Sequence, residues 1–232
     1  AEESKENLHI RYGLDKDKML VMPFSPNPLL KKTETTEQRK ILKKYNIETG
    51  YLFYPAQFWS HKNHIRVLQA IKILKEKKEN INIVFCGGIQ QTTSGYYNKV
   101  LNYIEKEKLQ NEVSILGFVP FEDMSGLYSQ CRAVVFPSYL GPTNIPPLEA
   151  WYHNKPLLCS ELHAEQVGNA AILFNPDNCV DIAESILQIK NEKIVHNLLL
   201  ESKKQIQLIN KRRENSEVIL KNKLNLLKLR FD

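Results

Sequence analysis

Between Tyr51 and Lys190 the chain alternates short apolar runs with segments of helical period, and this alternation limits its fold more than any other feature. Tyr51–Pro55, Ile81–Cys86, Val113–Leu116, Ala133–Phe136, Pro156–Cys159 and Ala171–Phe174 read as strands. Each is apolar almost without interruption, as expected when both faces of a parallel sheet are covered. Between them Asn63–Lys77, Tyr96–Leu109, Glu122–Gln130, Pro147–His153 and Asp181–Lys190 read as helices. In the first of these, Ile65, Leu68, Ile71 and Leu74 return on one side. The alternation predicts an α/β fold, a parallel sheet with helices on both faces. In an open sheet of this kind, ligands bind beyond the carboxyl ends of the strands. The segments to inspect are therefore Ala56–Asn63, Gly87–Gln91, Gly117–Pro120, Pro137–Pro146 and Ser160–Gly168.

The flanks read differently. Residues 1–24 suggest a helix ending at Gly13, which suits a left-handed cap, then a short strand from Met19 to Phe24. Ser25-Pro26-Asn27-Pro28 can continue neither helix nor strand and reads as a linker. Thr35 with Gln38 suggests a capping box for a helix through Tyr45. From Ile194 onward Leu198, Ile206, Ile209, Leu220, Leu224 and Leu227 keep helical period. The segment is too long for one ordinary helix, so a break is expected near Asn210 or Asn215.

Composition removes several classes. With 42% hydrophobic and 25% charged residues, the chain is not wholly disordered. Cys86, Cys131, Cys159 and Cys179 form no C-x-x-C pair, so neither a disulfide scaffold nor a thiolate zinc site is expected. Three of them sit in or beside apolar runs and read as buried free thiols of a reducing compartment. Asp15-Lys16-Asp17 lies in a charged turn outside the β/α array and reads as surface, so no metal site is expected. No apolar run approaches the roughly 18 residues of a membrane span, and Ala1–Asn7 has no signal-peptide core. The formal net charge is +6, and residues 190–232 hold 11 Lys/Arg against 5 Asp/Glu, so the whole excess lies there. A solvated helix face explains it most simply. Contact with anionic lipid headgroups is a second reading. Nucleic-acid binding is disfavoured, because no aromatics are interleaved and no motif accompanies the charge.

Pro137-Ser138-Tyr139-Leu140-Gly141-Pro142-Thr143-Asn144-Ile145-Pro146-Pro147-Leu148-Glu149-Ala150 is the richest stretch. A strand ends, and a loop leads into a helix whose first turn carries proline. The free N–H groups of such a helix start suit a phosphate. Glu149, placed in the first turn, either complements the dipole or accepts from two sugar hydroxyls. In Ala56-Gln57-Phe58-Trp59-Ser60-His61-Lys62-Asn63, Lys62 offers a point charge to a phosphate or is simply solvated. Phe58 and Trp59 read as packing residues and His61 as a surface histidine. Gly117-Phe118-Val119-Pro120 either reads a nucleobase edge through its backbone or is a plain turn. G-x-G-x-x-G, G-x-x-x-x-G-K-[ST] and G-x-S-x-G are all absent, which removes the nicotinamide fingerprint, the P-loop and the hydrolase elbow.

Taken together these stretches resemble the donor-binding C-terminal domain of GT-B-fold retaining glycosyltransferases, the glycosyl transferases group 1 of bacterial polysaccharide, O-antigen and capsule assembly. The likeness runs from about Tyr51 to Lys190. It rests on Phe136-Pro137-Ser138, then Ile145-Pro146-Pro147-Leu148-Glu149-Ala150, then Asn154-Lys155-Pro156, where Asn154 takes a glycine place. Glu165 with Gly168, and Asn175-Pro176, resemble later turns of the family. The resemblance implies a Rossmann-like sheet, the C-terminal half of a GT-B fold, followed by C-terminal helices. It implies that Lys62 contacts the donor diphosphate and Glu149 the ribose. Backbone N–H groups at Thr143, Asn144 and Ile145 would hold phosphates and sugar, and Phe118 would lie beside the base. Gln57 and Gly87 join this donor-binding set. No cofactor is implied, since the nucleotide-diphosphate sugar is a substrate.

Two departures stand out. The first Glu of the family's Glu-x7-Glu element falls on Gly141, so the catalytic assignment stays open there. The family's phosphate-binding Arg falls on Gln57. Gly-Pro-Thr-Asn-Ile-Pro-Pro-Leu-Glu-Ala is similar to a transferase subgroup, which favours an active variant. By the resemblance, residues 1–30 belong to an N-terminal domain or linker, 31–192 to the nucleotide-sugar-binding domain and 193–232 to a basic helical tail. The acceptor-binding N-terminal domain is otherwise missing, so an isolated fragment is expected to be inactive. The expected function is sugar transfer to a glycan or lipid-linked acceptor in surface polysaccharide assembly, without a metal, in the cytoplasm or at the inner face of its membrane. A non-catalytic GT-B-like binding module and a sugar-nucleotide epimerase are the alternatives.

Overall fold

The computed structural model describes residues 2–25, 34–88, 94–140 and 144–228. The chain divides into two units, one of Pro26–Ser202 and one joining Ala1–Ser25 to Lys203–Asp232.

The larger unit is built on six parallel strands: β1 (Leu52–Pro55), β2 (Ile83–Cys86), β3 (Val113–Ile115), β4 (Ala133–Phe136), β5 (Leu157–Ser160) and β6 (Ile172–Phe174). Their order across the sheet is β3-β2-β1-β4-β5-β6. Leu52 stands between Ile83 on one side and Ala133 on the other. β2, β4 and β5 are buried at every position, which is why their sequences are unbroken apolar runs. The helices are α2 (Thr35–Tyr45), α3 (His64–Glu76), α4 (Ser94–Lys106), α5 (Phe121–Gln130), α6 (Ile145–Tyr152), α7 (Ala164–Val167) and α8 (Cys179–Gln188), after α1 (Glu2–Tyr12) in the smaller unit. α3 packs on α8 and α2 on α5. The fold is α/β, as the alternation predicts, and Rossmann-like, as the resemblance implies.

Local chemistry explains the joints. α3 buries Val67, Leu68, Ile71 and Leu74 on one stripe. In α5, Gly126 lets α2 approach closely, because a Cβ there would meet Ile41 Cδ1 at 2.5 Å. α8 is capped by Asn178, whose Oδ1 accepts from the Val180 and Asp181 amides at 3.0 and 3.3 Å. Asn154 has a φ of +54°, as its glycine-like place requires. The capping box at Thr35 does not form. Thr35 is already helical, and the residue at the cap is Glu34, which makes no side-chain capping bond.

In the smaller unit α1 ends as expected, with Gly13 at a φ of +64°. Residues 19–24 form no strand, because a helix lies beside them where a strand partner would be needed. Val21 O accepts from Ser216 Oγ at 2.8 Å, and Ser25 Oγ accepts from Arg213 Nη1 at 2.8 Å. That helix is α9 (Glu192–Lys228), and it does not break at Asn210 or Asn215. It contains no Gly or Pro, and Ile209 and Ser216 fall on one buried side, so neither sequence nor packing interrupts it. Asp15-Lys16-Asp17 is an exposed turn in which Asp15 caps the Asp17 amide at 2.9 Å. Among the described residues no helix is long and apolar enough to cross a membrane.

Candidate functional site

Strand order reverses direction between β1 and β4, and an open α/β sheet offers its crevice at that point. The loop after β1 and the loop after β4 meet there. Tyr139 N donates to His61 O at 2.9 Å, and Ser138 Oγ lies 3.3 Å from the same carbonyl. Asn63 completes the joint. It is buried and left-handed, with a φ of +60°. Its Nδ2 donates to Pro137 O at 3.3 Å and to Pro176 O at 2.8 Å, so one amide ties three loops together.

Lys62 sits one residue before it. Its own carbonyl is held by Tyr54 Oη at 2.7 Å. Its ammonium reaches across to the second loop, 3.4 Å from Leu140 O and 3.5 Å from Ser138 Oγ. Burial lowers the Lys62 pKa from the ordinary lysine value. A half-desolvated ammonium that meets only neutral oxygens among the described residues gains from an arriving anion.

The rest of the first loop is structural in part. Phe58 is fully buried and stacks on the His64 ring at 4.6 Å, so it packs rather than binds. His61 is not a free surface group. Its carbonyl receives the two contacts above, and its ring lies 5.3 Å from Trp59. Gln57 is half-buried, and its Oε1 has no hydrogen-bond partner among the described residues. Gly87 lies under this loop. A Cβ there would meet Ala56 O at 2.2 Å, so a glycine is needed for the close approach of the two backbones.

Of the second loop, Gly141 and Thr143 lie outside the described residues. Asn144 enters α6 with a φ of +43°. Two partners fix it: Gln166 Nε2 donates to its carbonyl at 3.0 Å, and its Nδ2 faces His163 Nδ1 at 3.2 Å. His163 Nε2 lies 2.9 Å from Ser138 O, a carbonyl that can only accept, so the ring donates from Nε2. Asn144 Oδ1 is buried with no partner among the described residues. α6 begins at Ile145, two residues earlier than Pro147. Glu149 therefore stands in the second turn, and the dipole explanation for it falls away. Its Oε2 accepts from Tyr128 Oη at 2.6 Å. Burial raises the Glu149 pKa, and the Tyr128 hydrogen bond opposes that rise. Phe118, after β3, is 78% exposed and offers a bare aromatic face.

Residues 35–213 match the model of the glycosyl transferases group 1 family. The chain belongs to that family. This glycosyl transferases group 1 chain is 30% identical over 153 residues to the O-antigen chain mannosyltransferase B of Escherichia coli, covering 64% of the chain and 39% of that relative. It superposes on the crystal structure of a glycosyltransferase from Rickettsia africae ESF-5 with a TM-score of 0.80 at 20% identity, over 96% of this chain and 62% of that one. On Anabaena Alr3699/HepE in complex with UDP and glucose the TM-score is 0.78 at 16% identity, over 95% and 61%. These two likenesses identify the fold as that of GT-B glycosyltransferases. The chain spans about two fifths of that mannosyltransferase's length and about three fifths of each of those structures.

Lys62, Gln57, Asn144, Ile145 and Glu149 thus all lie on segments leaving the carboxyl ends of the neighbouring strands β1 and β4. Phe118 and Gly87 follow β3 and β2. Sequence reasoning missed Asn63, Tyr128 and the specific role of His163. Nothing in local spacing marks them, since their partners lie 74, 21 and 25 residues away. Among the described residues no group of three His, Cys, Asp or Glu is placed to hold a metal ion.

Proposed function

We propose that this chain is the donor-binding half of a retaining glycosyltransferase that moves a sugar from a nucleotide diphosphate to a glycan or lipid-linked acceptor. One observation carries the reading: the Lys62 ammonium bridges to Leu140 at the sheet's switch point, between the loops that lead into α3 and α6. A diphosphate beside it would also meet the backbone N–H groups of Asn144 and Ile145 at the start of α6, ahead of Pro146 and Pro147, which have none. In transfer, the bond from the anomeric carbon to the diphosphate oxygen breaks and a bond to the acceptor hydroxyl oxygen forms. Charge grows on the leaving diphosphate, where Lys62 and those N–H groups would stabilise it. Glu149 would accept from the ribose hydroxyls and Phe118 would lie along the base. The acceptor would sit on a further domain, and the basic α9 would contact anionic headgroups.

The O-antigen chain mannosyltransferase similarity makes a nucleotide-linked mannose the first donor to try, and the UDP complex of a fold neighbour supports a nucleotide ligand. Calorimetry or thermal shift across UDP-, GDP- and dTDP-sugars is the test. Saturable binding of at least one donor is expected. No response to any of them at millimolar concentration overturns the reading.

A further inference from the structure

One fully buried side chain reaches into this site from a helix that carries none of its other residues. Tyr128 is 0% exposed on α5. Its ring meets Phe53 edge-on at 5.0 Å and lies parallel to His153 at 5.3 Å, with 2° between planes. Packed on both, the ring is set by the core and not by the site. Its hydroxyl donates to Glu149 Oε2 at 2.6 Å, the short distance of a charge-assisted bond. The bond engages one carboxylate oxygen and fixes the plane of the group, which leaves Oε1 in a set direction. A carboxylate on a flexible stem would otherwise lose rotamer freedom on binding.

We propose that Tyr128 is a positioning residue that clamps Oε2 of Glu149 so that Oε1 is presented to the ribose hydroxyls of a nucleotide diphosphate. The proposal rests on the ribose reading of Glu149 and adds to it the residue that orients that carboxylate. It contains no bond-making step. It separates the two oxygens by role: Oε2 belongs to the protein and Oε1 to the ligand.

The test uses the 232-residue chain and two pairs of probes, GDP with 2′,3′-dideoxy-GDP and UDP with 2′,3′-dideoxy-UDP, measured by calorimetry. The wild-type protein is expected to prefer the ribose form of the better-binding pair by about tenfold. In Tyr128→Phe the ring packing stays, and the preference is expected to shrink at least about threefold while affinity for the dideoxy form holds. Equal weakening of both forms would mean a structural role and overturns the proposal. A preference that persists unchanged in Tyr128→Phe also overturns it and leaves the ribose reading standing. No preference in the wild-type protein overturns the ribose reading and the proposal with it. Should Tyr128→Phe fail to fold, a crystal structure of the wild-type protein with the better-binding nucleoside diphosphate decides. Oε2 on Tyr128 Oη and Oε1 on the ribose hydroxyls is the expected result. Both carboxylate oxygens on the ribose, or a Glu149 that has left Tyr128, overturns the clamp.

Discussion

The ammonium of Lys62 lies 3.4 Å from the carbonyl oxygen of Leu140 and joins the exits of two adjacent strands. An anion bound there would replace a weak neutral acceptor with a charged one. Lys62→Ala should therefore weaken binding of any nucleoside diphosphate by about 1.5–3 kcal/mol, roughly ten- to a hundredfold in Kd by calorimetry. Unchanged affinity would remove Lys62 from the site.

Asn63 is a structural joint. Asn63→Ala strands the carbonyls of Pro137 and Pro176 and places alanine at a φ of +60°. The expected loss is about 2–4 kcal/mol in urea unfolding. Asn63→Gly keeps the backbone relaxed and should lose about 1 kcal/mol less. Equal losses in the two variants would show that backbone strain plays no part.

The neighbouring glycines 87 and 88 give a matched pair. Ala at 87 would drive its Cβ to 2.2 Å from a backbone oxygen, whereas among the described residues nothing lies within 4 Å of a Cβ at 88. Gly87→Ala should cost about 3 kcal/mol or more, and Gly88→Ala within about 0.5. Chemical denaturation of the two variants side by side checks this.

His64 sets a pH dependence. It is 0% exposed among Tyr54, Phe58 and Phe85, and burial pushes its pKa down to about 3. Unfolded histidine takes a proton near pH 6.5, while the folded ring stays neutral. The unfolded state then binds more protons, so stability is full above about pH 6.5 and falls as pH drops. The contribution is on the order of 1.4 kcal/mol per pH unit between about 6 and 4. His64→Leu should unfold with a shallower acid slope by that amount. Parallel slopes for the two proteins would refute it.

Much of this fold could be read along the chain, for a physical reason. A strand covered on both faces must be apolar at every position, so Ile83–Cys86 and Ala133–Phe136 announce themselves in four residues. A left-handed turn needs Gly or Asn, so Gly13 and Asn154 mark two of them. Lys62 and Glu149 stand out because each lies on the segment that follows a strand's carboxyl end and because their surroundings resemble a family. The N-terminal stretch misled. Met19–Phe24 has strand character, but a strand also needs a neighbour, and here the neighbour is α9.

What stayed hidden depends on partners distant in the chain. Asn63 reaches residues 74 and 113 positions away, and no local pattern records such a bond. Glu149 reads as a first-turn carboxylate until packing starts α6 at Ile145 and brings Tyr128 against it. Local residue choice wrote the strands and turns, because burial and backbone strain act on each position separately. The aim of the site's polar groups came from folding, because a hydrogen bond needs both ends in place.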